Sequence, residues 1–211
     1  KDDAAGQGIA TRLSAEIMAL EVASRNASDA QAMIDTAEGA YQEVHNMLLR
    51  MREIAVQASN GTLTEADRTA LNAEVSALEK EITSISVNTT FAGISLGSGS
   101  VIQFQIGAAK GAALTHTFAT FGVSALGADV AVDTTNGATA ALATLSTAIA
   151  TVSTRRGTLG ALSNRLSSTI ANLDNISVNL SSARGRIQDT DFAQETSNLA
   201  KSQIMQQAAT A

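Results

Sequence analysis

A chain of 211 residues with 45% hydrophobic content is long enough to bury a core and too apolar to be a disordered acidic tail. Its net charge of −6, with 14 basic residues dispersed along the chain, excludes the clustered Lys/Arg surface that nucleic-acid binding needs. The absence of Cys excludes disulfides and thiolate chemistry, and the absence of Pro is what long uninterrupted helices require.

Aromatic residues make up only 3% of the chain, and Ala, Ser, Thr, Leu and Ile carry the small and apolar load. That balance suits helices packed on helices in a narrow, elongated body better than a thick core around a pocket. No apolar run approaches the roughly 18 to 20 residues that span a bilayer, so no membrane insertion is expected.

In chain order, the first predicted element is a helix over about residues 4–59. Ala27, Ala30, Ile34, Ala37, Tyr41, Val44, Leu48, Met51, Ala55 and Ala58 alternate spacings of three and four, a heptad-like seam. Ile9, Leu13, Ile17 and Leu20 extend it backward with a change of phase. A helix of about fifty residues, against a usual roughly 11 to 12, implies a coiled coil or a rod. Asp2-Asp3 reads as negative charge at the positive end of the helix dipole rather than a metal pair.

Asn60-Gly61 then supplies a helix stop, with Gly suited to a left-handed conformation just past the last turn. Thr64, followed three residues on by Asp67, predicts the start of a shorter helix over about 64–87. Its stripe of Leu71, Val75, Leu78, Ile82 and Ile85 folds it back as a helical hairpin.

From about 88 to 137 the chain changes character. Val101 to Ile106 and Leu114 to Phe118 alternate partly apolar with polar, and Gly107 and Gly111 lie between them, which predicts a β-hairpin. Phe91, Phe104, Phe118 and Phe121 are expected to make a small local core, and the polar stretch from Asp129 to Gly137 a loop at the far tip.

A second long helix is expected over about 138–190. Leu142, Leu145, Ile149, Val152, Leu159, Leu162, Leu166, Ile170, Leu173, Ile176, Leu180, Ala183 and Ile187 step at close to 3.5 residues, with Arg156 taking one apolar position. Residues 191–211 begin a further helical segment. The start at Lys1 and the end at Ala211 both read as trimmed. The fold class is mainly α with a small β part: an elongated, coiled-coil-like bundle of two long helices and one shorter helix, with a β-hairpin-containing tip. Packing the two seams side by side brings the termini to one end and places the strands at the other.

One feature of the first helix does not fit a single seam. Leu49, Ile54 and Val56 fall off the stripe and are flanked by Arg50, Arg52 and Glu53. The group reads either as a solvated, salt-bridged helix face or as a partner surface, since an apolar face rimmed by charge has that anatomy. Enzyme chemistry is not visible: His45 and His116 are the only histidines, neither sits in an HExxH, GxSxG or phosphate-loop context, and no cofactor or metal set is expected.

Several stretches carry a resemblance: "TAEGAYQEV" at 36–44, "LLRMREIAVQASNGT" at 48–62, "FQIGA" at 104–108, and "LGALSNRLSSTIANLDNISVNLSSARGRIQDTDFAQETSNLAKSQIMQQA" at 159–208. In this order they closely resemble bacterial flagellin, the subunit of the flagellar filament. The resemblance implies a secreted, extracellular structural protein that self-assembles into a helical propeller for swimming. It implies other flagellin subunits, an export chaperone and the filament cap as partners, and a variable region that is very short here. Because the family continues at both ends into segments that lock the filament, this chain is expected to be a monomeric fragment.

Within that resemblance, Leu49, Arg50, Arg52, Glu53, Ile54 and Val56 are expected at subunit contacts. The Toll-like innate receptor for flagellin is expected to read Arg50, Ile54 and Glu74; the family commonly has Leu where this chain has Ile54. Two other readings stay open: a cell-surface flagellin-like protein binding a polysaccharide, or a hook-filament junction or tip coiled-coil protein.

Overall fold

A computed structural model describes residues 4–189 and 192–210. The elements are α1 (Ala4–Ala58), α2 (Glu65–Asn88), β1 (Thr90–Phe91), β2 (Ile94–Ser95), β3 (Val101–Gln105), β4 (Ala113–Thr117), α3 (Val123–Leu126), α4 (Thr135–Gln188) and α5 (Phe192–Thr210). The Asp2-Asp3 pair lies outside the described residues. At a rise of 1.5 Å per residue, the 55 residues of α1 make a rod of about 80 Å.

The two long helices pack antiparallel along their length. Arg184 Nη1 donates to Ser14 Oγ (3.3 Å), Ser24 Oγ to Asp174 Oδ1 (3.3 Å), and Arg156 Nε to Glu38 Oε1 (2.7 Å). The start of α1 and the end of α4 therefore share one end of the rod. Every residue of the expected seam from Ala27 to Ala58 is buried. On α4 the buried set includes Leu145, Val152, Leu159, Leu166 and Leu173, spaced seven apart, so this seam is a true heptad repeat. Arg156 interrupts the apolar pattern because it pairs with Glu38 across the seam. α4 also holds a window long and apolar enough, by length and composition, to cross a membrane, where the sequence reading expects no such run; about a quarter of that window (28%) is buried in the bundle.

Thr64 and Asp67 form the expected capping box: Asp67 N donates to Thr64 Oγ1 (3.3 Å) and Thr64 N to Asp67 Oδ2 (2.9 Å). These bonds from the Thr64 hydroxyl and backbone hold the Asp67 carboxyl below its ordinary range. The end of α1 is built differently from expectation. Gly61 is not among the left-handed glycines. Instead Arg68, buried on α2, donates from Nε to Ala58 O (2.9 Å) and from Nη2 to Asn60 O (3.0 Å), satisfying carbonyls that a helix end leaves open.

After α2 a tight hairpin, β1–β2, turns through Ala92 and Gly93, both at positive φ. The larger hairpin pairs β3 with β4 antiparallel, from Val101 opposite Thr117 to Gln105 opposite Ala113. Both lie on the flank of the rod rather than over its end. Asn26 Nδ2 donates to Gln105 O (3.0 Å), and Tyr41 Oη to Ala119 O (2.9 Å), fixing the hairpin beside the middle of α1. Nor do the phenylalanines form a separate core. Phe118 and Phe121 are buried and Phe91 and Phe104 half-buried in one cluster continuous with the α1–α4 seam.

The segment before α4, read from sequence as a loop, is a strap along α2. Val130 N donates to Glu79 Oε1 (2.9 Å) and Val132 N to Asn72 Oδ1 (2.8 Å), with Ala128 and Val132 fully buried. Burial raises the Glu79 carboxyl above its usual range, against the opposing pull of the Val130 N–H.

Candidate subunit interface

Residues 49–56 lie in the last turns of α1, where the helix has two neighbours. α4 covers one side and α2 folds back on another, so the buried stripe is wider than a two-helix seam. Met51, Ile54, Ala55 and Ala58, at i, i+3, i+4 and i+7, are all fully buried. Ile54 thus leaves the group in which the sequence placed it. It belongs to the core and presents no side-chain surface to a neighbouring subunit or a receptor.

The remaining members sort themselves by the same periodicity. Leu49, Arg52, Glu53 and Val56 also stand at i, i+3, i+4 and i+7, and they line one shallow outward depression. Leu49 is 39% exposed and Val56 56% exposed, so the face carries apolar surface at both ends of its charged middle. Arg50 faces the α2 side. Its Nε donates to Glu74 Oε1 (2.9 Å) and its Nη1 to Glu53 Oε2 (3.2 Å). These two carboxylates, Glu74 first, raise the guanidinium further above its ordinary value. Of the three expected receptor positions, the structure therefore joins Arg50 and Glu74 on the surface and withdraws Ile54 inside.

A second polar arrangement has no signal in the sequence. Around a cavity of about 90 Å³, Tyr41, His116, Phe118 and Arg155 converge from α1, β4 and α4. Arg155 Nη1 donates to Thr120 O (2.5 Å), beside the Tyr41 bond to Ala119 O. Burial raises the Tyr41 hydroxyl pKa, opposed by Arg155, and lowers that of His116, which meets the Phe118 ring edge-on at 4.8 Å. With its polar groups spent on backbone carbonyls, this cluster is a clamp that fastens the hairpin to the rod. Among the described residues no His, Asp or Glu group is arranged to hold a metal.

Two family models match the chain: the bacterial flagellin N-terminal helical region over residues 1–102 and the bacterial flagellin C-terminal helical region over residues 142–211. The chain is 42% identical to flagellin from Halalkalibacterium halodurans over all of its own length and 79% of that protein. The chain belongs to the bacterial flagellin family. Among solved structures, Bacillus cereus flagellin superimposes with a TM-score of 0.63 at 30% identity, covering 71% of this chain and 88% of that one. A putative flagellar hook-associated protein from Vibrio parahaemolyticus shares the fold, with a TM-score of 0.74 at 17% identity over 88% of this chain and 98% of that one.

Membership makes the chain a structural subunit of the flagellar filament, which lies outside the cell and assembles from flagellin subunits. The long antiparallel pair and the flanking hairpins are the body of that subunit.

Proposed function

We propose that the stripe of Leu49, Arg52, Glu53 and Val56 is a contact between neighbouring subunits of the filament. The supporting observation is its form: four residues on one helix face, apolar at both ends and charged between, lining one depression open to solvent. A contact between different surfaces of identical subunits does not close on itself, so repetition generates a helix of subunits. The charges set register while the apolar ends supply burial. Arg50 acts one step away, holding α1 to α2 through Glu74 and turning Glu53 toward the stripe.

The same reading covers the partners met before and during assembly. The subunit leaves the cell through the flagellar export apparatus with its chaperone, is placed by the filament cap, and presents Arg50 and Glu74 to the Toll-like receptor for flagellin. Ile54 contributes to that surface only by supporting it from the core. Residues 1–87 and 138–190 form the assembling rod, and 88–137 its β-bearing, outward part.

The test is seeded assembly of the chain joined to the family's terminal segments, scored by electron microscopy. Val56→Asp and Leu49→Asp leave the circular dichroism spectrum unchanged and shorten or abolish filaments, whereas Ile54→Val lowers thermal stability and still assembles. Stripe variants that elongate like the parent would remove the stripe from the interface.

A further inference from the structure

The chain contains the dipeptide Asn-Gly twice, at 60–61 and 136–137, and the fold puts the two copies in opposite chemical situations. Asn-Gly is the sequence in which a side-chain amide is most open to attack by the following backbone nitrogen, because Gly brings no side chain to obstruct the approach.

At 60–61 the dipeptide lies in the exposed turn between α1 and α2. The Gly61 N–H has no acceptor among the described residues, so the proton it must lose is uncommitted, although the carbonyl of the same peptide group accepts from Arg68 Nη2 (3.0 Å) and Leu63 N (3.3 Å). Thr62 N donates to Asn60 Oδ1 (3.2 Å), a bond to the oxygen on which negative charge develops when Cγ is attacked. The electrophile is thus held and polarised, and the nucleophile's proton is free.

At 136–137 the same dipeptide forms the first turn of α4. Gly137 N donates to Thr134 Oγ1 (3.0 Å) as part of the helix cap, so its proton and its direction are both committed. The glycine is also closely approached by Ala131 O, which a side chain at this position would meet at 2.8 Å.

We propose that Asn60 is a site of spontaneous deamidation in the folded protein, and that Asn136 is protected by its helix cap. Gly61 nitrogen, deprotonated by solvent base, bonds to Asn60 Cγ; the Cγ–Nδ2 bond breaks and ammonia leaves, closing a succinimide. Water then opens the ring at either carbonyl, giving aspartate or isoaspartate with a new carboxylate.

That carboxylate has a partner waiting. Arg68 is buried with two carbonyl acceptors and no carboxylate, and one of those acceptors is Asn60 O itself. In the isoaspartate product this former main-chain carbonyl becomes the free carboxylate. The reaction therefore places a negative charge at a buried guanidinium that makes no salt bridge among the described residues, and the deamidated turn stays folded.

The experiment is incubation of the folded protein at mildly alkaline pH, with peptide mapping by mass spectrometry at both dipeptides and enzymatic methylation to report isoaspartate. Asn60 converts at least tenfold faster than Asn136 in the folded protein, and the difference disappears in denaturant. Gly61→Ala, which meets nothing at its new Cβ, slows conversion at residue 60 without loss of helical signal. Equal rates at the two sites in the folded protein, or a Gly61→Ala variant that is no slower, would overturn the proposal.

Discussion

The two halves of the rod are built from the same helix pair and are not equally finished. In one half, α1 beyond Ala27 lies against α4, α2, the hairpins and the strap, and one continuous apolar cluster runs through all of them. In the other, among the described residues, α1 and α4 pack mainly on each other, and the core thins to Ala10, Ile17, Leu20, Ala23 and Leu173 with Leu180 at its edge. There the apolar residues spill outward: Met18 is 59% and Val178 68% exposed. A two-helix seam hides one stripe per helix, so residues beyond the stripe wait for a third layer. In a filament subunit, neighbouring copies supply such layers. The contrast shows that a fold can be complete at one end and conditional at the other.

The largest effect that sharpens this contrast comes from cutting the core in each half. Leu145→Ala, at a fully buried site, lowers stability by about 2–5 kcal/mol. Leu173→Ala costs less, because the cavity opens onto a thin, partly exposed layer; urea melts of the two variants give the order. Equal losses would show that the halves are equally packed.

A smaller effect tests what ties α2 to the complete half. Arg68→Met strands the Ala58 carbonyl, leaves Asn60 O its bond from Leu63 N alone, and costs about 1–3 kcal/mol. Amide exchange accelerates in the last turns of α1 and hardly changes near Ser14. The smallest comes from the cap. Thr64→Ala costs about 1 kcal/mol at neutral pH. Because Asp67 is depressed in the fold, its bonds to Thr64 stabilise above the ordinary carboxyl value of 3.8 and fade as pH falls below it. The gap between parent and variant therefore narrows in acid to what the Asp67 N–H bond to Thr64 Oγ1 alone contributes, and denaturant melts across that range check it.

What was legible in the sequence was local or strictly periodic. The capping box at Thr64 and Asp67 needs only a three-residue spacing, and the heptads hold from Ala27 to Ala58 on α1 and from Leu145 to Leu173 on α4, whereas Ile9, Ile176 and Ile187, expected on the same stripes, are exposed. The strands differ from expectation by a residue or two at their ends, since alternation marks them without marking where pairing stops. Ile54 was misassigned for a physical reason: reading α1 against one seam assumes one neighbour, and α2 gives it a second. Arg68 left no trace because its acceptors are backbone carbonyls, which every residue carries. Tyr41, His116 and Arg155 come together only through the long-range docking of the hairpin. Asn72 and Glu79, spaced seven apart on α2, looked like ordinary surface polar residues until the strap ran across them.

The antiparallel pairing of α1 with α4 also dictates an order of folding. Arg50 and Glu74 are 24 residues apart in the chain, while Ser14 and Arg184 are 170 apart. Closing the longer loop from a random chain costs about 2 kcal/mol more in entropy. Once the turn near Arg68 and the strap beside α2 have formed, however, α4 starts next to the end of α1. The pair then closes like a zip, each turn shortening the loop for the next. The thin half is the last to close and the first to fray, so the surface awaiting a neighbour is also the one whose backbone opens most readily to receive it.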